Sequence, residues 1–91
     1  MSELIKTLQI VNEKGLHARA SARFVETAEG FDAEAEVSKD GLSAMADSIM
    51  GLLMLAASKG TEICVTTTGP EAEALSKALE DLVADKFGEP S

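Results

Sequence analysis

The sequence predicts an α+β fold: an open-faced β-sandwich in which a four-stranded antiparallel sheet carries three helices packed on one face, in the order β-α-β-β-α-β-α. Three observations carry this expectation. Residues 31–38 alternate strictly, with Phe31, Ala33, Ala35 and Val37 on one side and Asp32, Glu34, Glu36 and Ser38 on the other, as a half-buried strand requires. Residues 61–67, T-E-I-C-V-T-T, are β-branched and alternate as well, with Ile63 and Val65 facing in. From Pro70 onward Ala72, Leu75, Leu79, Leu82, Val83 and Lys86 keep the 3–4 rhythm of one helix face. A chain of 91 residues makes one domain, residues 1–91, with no room for a second.

The remaining elements follow in order. Residues 4–11, L-I-K-T-L-Q-I-V, carry no turn residue and place Leu8 and Ile10 on one face, which predicts the first strand. Asn12 and Gly15 then bend the chain. Residues 17–29 form a helix with Ala20, Phe24 and Ala28 on one stripe, Ser21 and Val25 beside it, and Gly30 closing it. Asp40-Gly41 is a hairpin signal between the strand at 31–38 and a short strand through Leu42 and Ala44. Residues 48–57 form a short helix that Lys59-Gly60 ends. Pro70 suits the first position of the last helix, with Glu71 and Glu73 at the positive end of its dipole, and Gly88 and Pro90 stop it.

Charge and composition exclude several functions. Eight basic residues stand against sixteen acidic ones, a formal charge of −8, which a nucleic-acid backbone or an anionic membrane surface would repel. The imbalance is uneven: residues 1–24 hold Lys6, Lys14, Arg19 and Arg23 against Glu3 and Glu13, so this end can attract an anion. The start M-S-E-L-I-K lacks the apolar core of a secretory signal, and the longest apolar run, Ile49 to Ala57, is far short of the roughly 20 residues of a membrane span. A single cysteine, Cys64, forms no internal disulfide, so a cytoplasmic location is expected.

Chemistry concentrates at the start of the first helix. His17 is the only histidine, and an imidazole nitrogen is a competent nucleophile near neutral pH. Backbone N–H groups point out of a helix start, where the dipole adds partial positive charge, so such an end binds phosphate. Arg19 offers a planar fork of donors to phosphoryl oxygens, and Arg23 lies one turn further on. Together these describe a site for a transferable phosphoryl group; the plain alternative is a surface histidine with a local hydrogen bond. Zinc wants three or four ligands, and with no second histidine or thiol no metal is expected. The sequence places no carboxylate to orient the ring, so general acid–base catalysis is not expected either.

The run Ile49–Ala57 is apolar all round, and a helix on one side of a single sheet cannot bury it all. It reads either as core or as a partly exposed docking patch, for which methionines are suited. Ser48, behind Asp47, reads as a helix cap or as a modification site.

The segment G-L-H-A-R-A-S, residues 15–21, resembles the active-site motif of the HPr family, the histidine-containing phosphocarriers of the bacterial phosphoenolpyruvate-dependent phosphotransferase system. D-S-I-M-G-L-L resembles the segment around the family's regulatory serine, and K-G-T-E-I the start of its last strand, so the likeness runs nearly end to end. G-F-D-A-E, L-L-M-L, T-G-P-E and the G-E-P-S tail look more like the nitrogen-related branch, NPr, whereas S-I-M-G looks like ordinary HPr.

The resemblance implies a carrier that is a substrate of transferases and not an enzyme, with no bound cofactor, monomeric. An Enzyme I-type protein charged from phosphoenolpyruvate would phosphorylate His17 on Nδ1, and the group would pass to a histidine of an IIA-type protein. Arg19 would stabilise the phosphoryl group, and the amides of Ala18 and Arg19 would hold its oxygens. Ala20, Ile49, Met50 and Leu53 match the family's docking positions. Ser48 matches the serine phosphorylated by HPr kinase/phosphorylase. Ala20 stands where many members have Pro, and Asp47 is an acidic neighbour that would deter a kinase.

Two other functions compete. One is a non-catalytic docking module that binds enzymes or transporters through the apolar patch. The other is an acyl carrier modified at Ser48, since Asp47-Ser48-Ile49 looks like its D-S-L site; that fold is all-helical, against the strands read at 31–37 and 61–67.

Overall fold

A computed structural model describes residues 3–91; Met1 and Ser2, with which the expected domain begins, lie outside the described residues. The order is β1 Glu3–Gln9, α1 Ala18–Glu29, β2 Glu34–Lys39, β3 Leu42–Met45, α2 Ile49–Met54, β4 Glu62–Thr68 and α3 Ala72–Ala84, followed by one 3₁₀ turn over Lys86–Gly88. This is the predicted β-α-β-β-α-β-α frame.

The four strands form one antiparallel sheet in the order β1-β4-β2-β3. The β-branched strand β4 is central and turns Ile63, Val65 and Thr67 inward. Leu8 of β1 lies opposite Ile63, and Val37 of β2 opposite Val65, so the inward residues of three strands make one apolar layer. The helices cover that layer with Phe24, Leu52, Leu75 and Leu79, each fully buried. Glu34, Glu36 and Glu62 occupy the other, wet face. Burial of each large apolar side chain is worth about 1.5–3 kcal/mol.

At the β2–β3 hairpin Asp40 has φ 50° and Gly41 φ 84°. Two left-handed residues give the primed turn whose twist matches the strands it joins, as the Asp-Gly signal predicts.

Several boundaries differ from the sequence reading. α2 ends at Met54, because Leu55 and Ala56 bond back to Leu52 and Leu53 in a tighter turn and Ala56 turns left-handed at φ 52°. α3 begins at Ala72 and not at Pro70. The N–H of Glu71 donates to Asp32 across the interface, and that of Ala72 to Gly69, so Pro70 belongs to a turn ahead of the helix. α3 also stops at Ala84. Lys86 and Phe87 leave it at φ 57° and 56°, so Lys86 does not continue the helical face, and Phe87 folds back to become fully buried. Phe31 and Ala33 approach the core half-buried, but strand pairing starts only at Glu34. Among the described residues no helix is long and apolar enough to cross a membrane.

Candidate functional site

The loop between β1 and α1 is pinned before it reaches His17. Ile10 is fully buried and exchanges backbone bonds with Gly60 and Thr61 at 2.8 and 2.9 Å. Gly15 has φ +65°, and a Cβ there would lie 2.4 Å from the carbonyl oxygen of Ala57, so only glycine fits. The N–H of Leu16 donates to that same carbonyl at 2.8 Å, and the Ser21 hydroxyl donates to the Leu16 carbonyl at 3.2 Å. The chain therefore enters α1 along a fixed path, tied to the segment that follows α2.

His17 is the N-cap of α1, with extended backbone at φ −79°, ψ −176°. Its Nδ1 accepts from the N–H of Arg19 at 3.3 Å. A ring nitrogen that accepts from an amide carries no proton, so the proton sits on Nε2. There the ring donates to Oε2 of Glu89, 72 residues away in sequence. The other carboxylate oxygen accepts from Nδ2 of Asn12 at 3.0 Å, and the same Asn12 amide donates to the Gly15 carbonyl at 2.8 Å. His17 and Glu89 are 27% and 13% exposed at their side chains, so the ring is backed by protein and open on its other side.

The expectation that no carboxylate orients the ring is thus corrected: Glu89 does so. Burial pushes its carboxyl up, but the hydrogen bonds from Asn12 and His17 and the charges of His17 and Lys14 outweigh that and hold it below the ordinary carboxylate value.

The electrostatics favour an anion. α1 has no acidic residue in its own first turn, so no side chain there competes for its free N–H groups and dipole. Arg19 is exposed, and among the described residues its guanidinium is in no ion pair. Lys14 lines a shallow depression of about 280 Å³ with His17, Leu53 and Ala56. Arg23 lies against Gly88, where a Cβ would meet its Nη1 at 3.3 Å. Lys6 is elsewhere, paired with Glu80 at 3.0 Å. Three of the four basic groups in the first 24 residues therefore gather near this helix start and the tail beside it.

The apolar run divides between the two readings given to it. Leu52 and Leu55 are core. Ile49, Met50 and Met54 are 40%, 70% and 74% exposed, and Leu53 is half-buried on the wall of the depression that His17 lines. Ala20 is fully buried, so it offers a partner no surface and serves to seat α1. Ser48 is the N-cap of α2, its Oγ accepting from the N–H of Gly51 at 3.0 Å. No group of three or more metal-ligating side chains occurs among the described residues.

Sequence reasoning missed Glu89, Asn12 and Phe87. Asn12 read as a turn residue, and the tail read only as a helix stop. The one local signal was an amide side chain three residues before a glycine, which fits an Asx-type turn and says nothing of a distant partner.

A site of this geometry can present an unprotonated Nδ1 to an electrophilic phosphorus, hold phosphoryl oxygens on helix amides and Arg19, and keep the opposite edge of the ring on a carboxylate. Comparison with known proteins gives the chain's family. The family model described as "PTS HPr component phosphorylation site" matches residues 4–85. Phosphocarrier protein HPr of Neisseria meningitidis is 45% identical over 86 residues, covering 94% of this chain and 97% of that protein. Phosphocarrier protein NPr of Escherichia coli K12 is 40% identical over 85 residues, covering 92% and 94%. HPr of Thermoanaerobacter tengcongensis superposes with a TM-score of 0.90 at 42% identity over the whole of both chains. A dimer structure of HPr from the same organism superposes at 0.76, with 43% identity over 98% of this chain and all of that one.

Proposed function

The chain belongs to the HPr family of phosphocarrier proteins, and on that premise we propose that it accepts a phosphoryl group on Nδ1 of His17 from an Enzyme I-type protein charged from phosphoenolpyruvate and passes it to a histidine of an IIA-type protein. One observation carries the reading: His17 caps α1 with Nδ1 unprotonated and turned to the helix amides. In each transfer the P–N bond to the donor ring breaks as the bond to the acceptor nitrogen forms. The Arg19 amide that Nδ1 now holds, and that of Ala18 beside it, would turn to the phosphoryl oxygens, with the Arg19 guanidinium closing over them.

Ile49, Met50 and Leu53 would form the docking patch for both partners, next to the depression at His17. A shallow, open site suits a carrier that successive proteins must reach, through contacts of modest area. Phosphorylation of Ser48 by an HPr kinase/phosphorylase would add about two negative charges beside that patch and weaken docking. In this role the protein is a phosphorylated intermediate of the cytoplasm and not itself a catalyst.

The test is intact-mass analysis after incubation with phosphoenolpyruvate and Enzyme I-type proteins of the sugar and nitrogen branches, wild type beside His17→Ala. The expected result is one acid-labile phosphoryl group on wild type and none on the variant. No mass gain on wild type with either partner would leave the docking-module reading.

A further inference from the structure

We infer that Glu89 is a positioning residue for phosphoryl transfer: its carboxylate fixes the Nε2–H form of His17, keeps Nδ1 as the attacking nitrogen, and balances the charge the ring acquires. This inference rests on the carrier reading above.

The geometry is a closed chain of contacts. Phe87 is fully buried and anchors the segment after α3. Glu13 donates its N–H to a backbone oxygen of Ser91 at 3.3 Å, a second tie between this segment and the active-site loop. Between these ties Glu89 places one oxygen on Nε2 of His17 and the other on Nδ2 of buried Asn12. Asn12 is held in turn by Gly15. The carboxylate is thus aimed by the core and by the loop, and its contact is to the reacting ring itself.

The chemistry gives that contact a purpose. When the Nδ1 lone pair attacks phosphorus, the proton stays on Nε2 and the ring becomes a cation. When the phosphoryl group leaves for the next histidine, the P–Nδ1 bond breaks and a neutral imidazole departs, with the proton still on Nε2. Were Nε2 unprotonated, the leaving group would be an imidazolate, which is far poorer. A carboxylate on Nε2 opposes that loss and offsets the ring's positive charge at each visit. The other charged groups near the ring, Lys14 on the loop and Arg19 and Arg23 on α1, are cationic and act against a ring cation, so among the described residues Glu89 is the one anionic group bonded to the ring.

The experiment compares wild type, Glu89→Gln and Glu89→Ala by two measurements. The first is long-range proton–nitrogen NMR of the His17 ring across a pH series, on unphosphorylated protein. Wild type should show Nε2 protonated and Nδ1 bare in the neutral ring. Glu89→Ala should show mixed tautomers, since nothing else in the contacts described holds the proton on Nε2. Glu89→Gln, which keeps an acceptor without the charge, should keep the tautomer.

The second is the rate of phosphoryl uptake from an Enzyme I-type protein, expected to fall about tenfold in Glu89→Ala and less in Glu89→Gln. Ring signals and rates unchanged in both variants, with wild type still phosphorylated, would overturn this inference alone. If wild type takes up no phosphoryl group, the carrier reading falls and this inference with it. Should Glu89→Ala not fold, the Gln variant decides by the same two readouts.

Discussion

Two helix starts in this molecule have the same design and different chemistry. His17 caps α1 through Nδ1, and Ser48 caps α2 through Oγ. The serine bond is the shorter, 3.0 Å to the third residue of its helix, in the geometry for which serine is the preferred cap. The histidine bond is 3.3 Å and bends back only two residues. The serine oxygen is therefore committed to holding a six-residue helix, whereas the imidazole is held mainly from its other side, by Glu89. The imidazole has an anchor that leaves Nδ1 free to exchange its partner, whereas Ser48 would have to give up its cap bond to take a phosphoryl group.

Several measurements would break or sharpen this contrast. The largest expected effect is that of Phe87→Ala, about 3–5 kcal/mol lost in denaturant unfolding. In it the His17 ring signals should move while those of the α2 cap stay; equal disturbance at both would end the comparison. Arg19→Ala should slow phosphoryl uptake about 100-fold, with unfolding unchanged, which marks the α1 start as chemical. Ser48→Ala should cost about 1 kcal/mol of stability and leave uptake on His17 intact. His17→Ala also removes the bond to Glu89, so it is compared on the Glu89→Ala background, where it should cost less than Ser48→Ala; an equal cost would show both as structural caps alike.

The smallest effect is in pH. Folding lowers the pKa of Glu89, so its contribution to stability is complete above the ordinary carboxylate range and is lost as pH falls through the folded value. Denaturant midpoints measured down into acid should fall less steeply in Glu89→Gln than in wild type.

Most of the fold could be read from short-range pattern because a sheet with one wet face writes its alternation into each strand. Ala35 and Val37, Ile63 and Val65, and the Asp40-Gly41 turn lie where the period puts them. The first helix shows its buried stripe as plainly. His17 and Arg19 were legible because both lie within three residues of a helix start. Glu89 was not, since its contact with His17 spans 72 residues and a tail of F-G-E-P-S carries no period. The end of α3 misled for a related reason. Lys86 continues the apolar rhythm numerically, but the buried Phe87 next to it is reached only if the chain turns left-handed first. Pro70 shows the same limit at the other end: its propensity for a first helical position yields to the tertiary bond between Glu71 and Asp32.

The distance in sequence between the ring and its carboxylate also bears on how the molecule is made. β1 must find β4, with Glu3 opposite Thr68, before the sheet is complete, and Glu89 lies against His17 just beyond Phe87, which is buried and packs on α1 and α3. Contacts of such long range slow the folding of a small domain, because the entropy of closing the loop is lost before they reward it. A chain with its sheet paired and its tail still loose would already display Met50 and Met54 but would lack the carboxylate behind its nucleophile. On the carrier reading such a chain would dock as the finished one does but take up the phosphoryl group more slowly, so the seating of the last few residues sets the working quality of each copy.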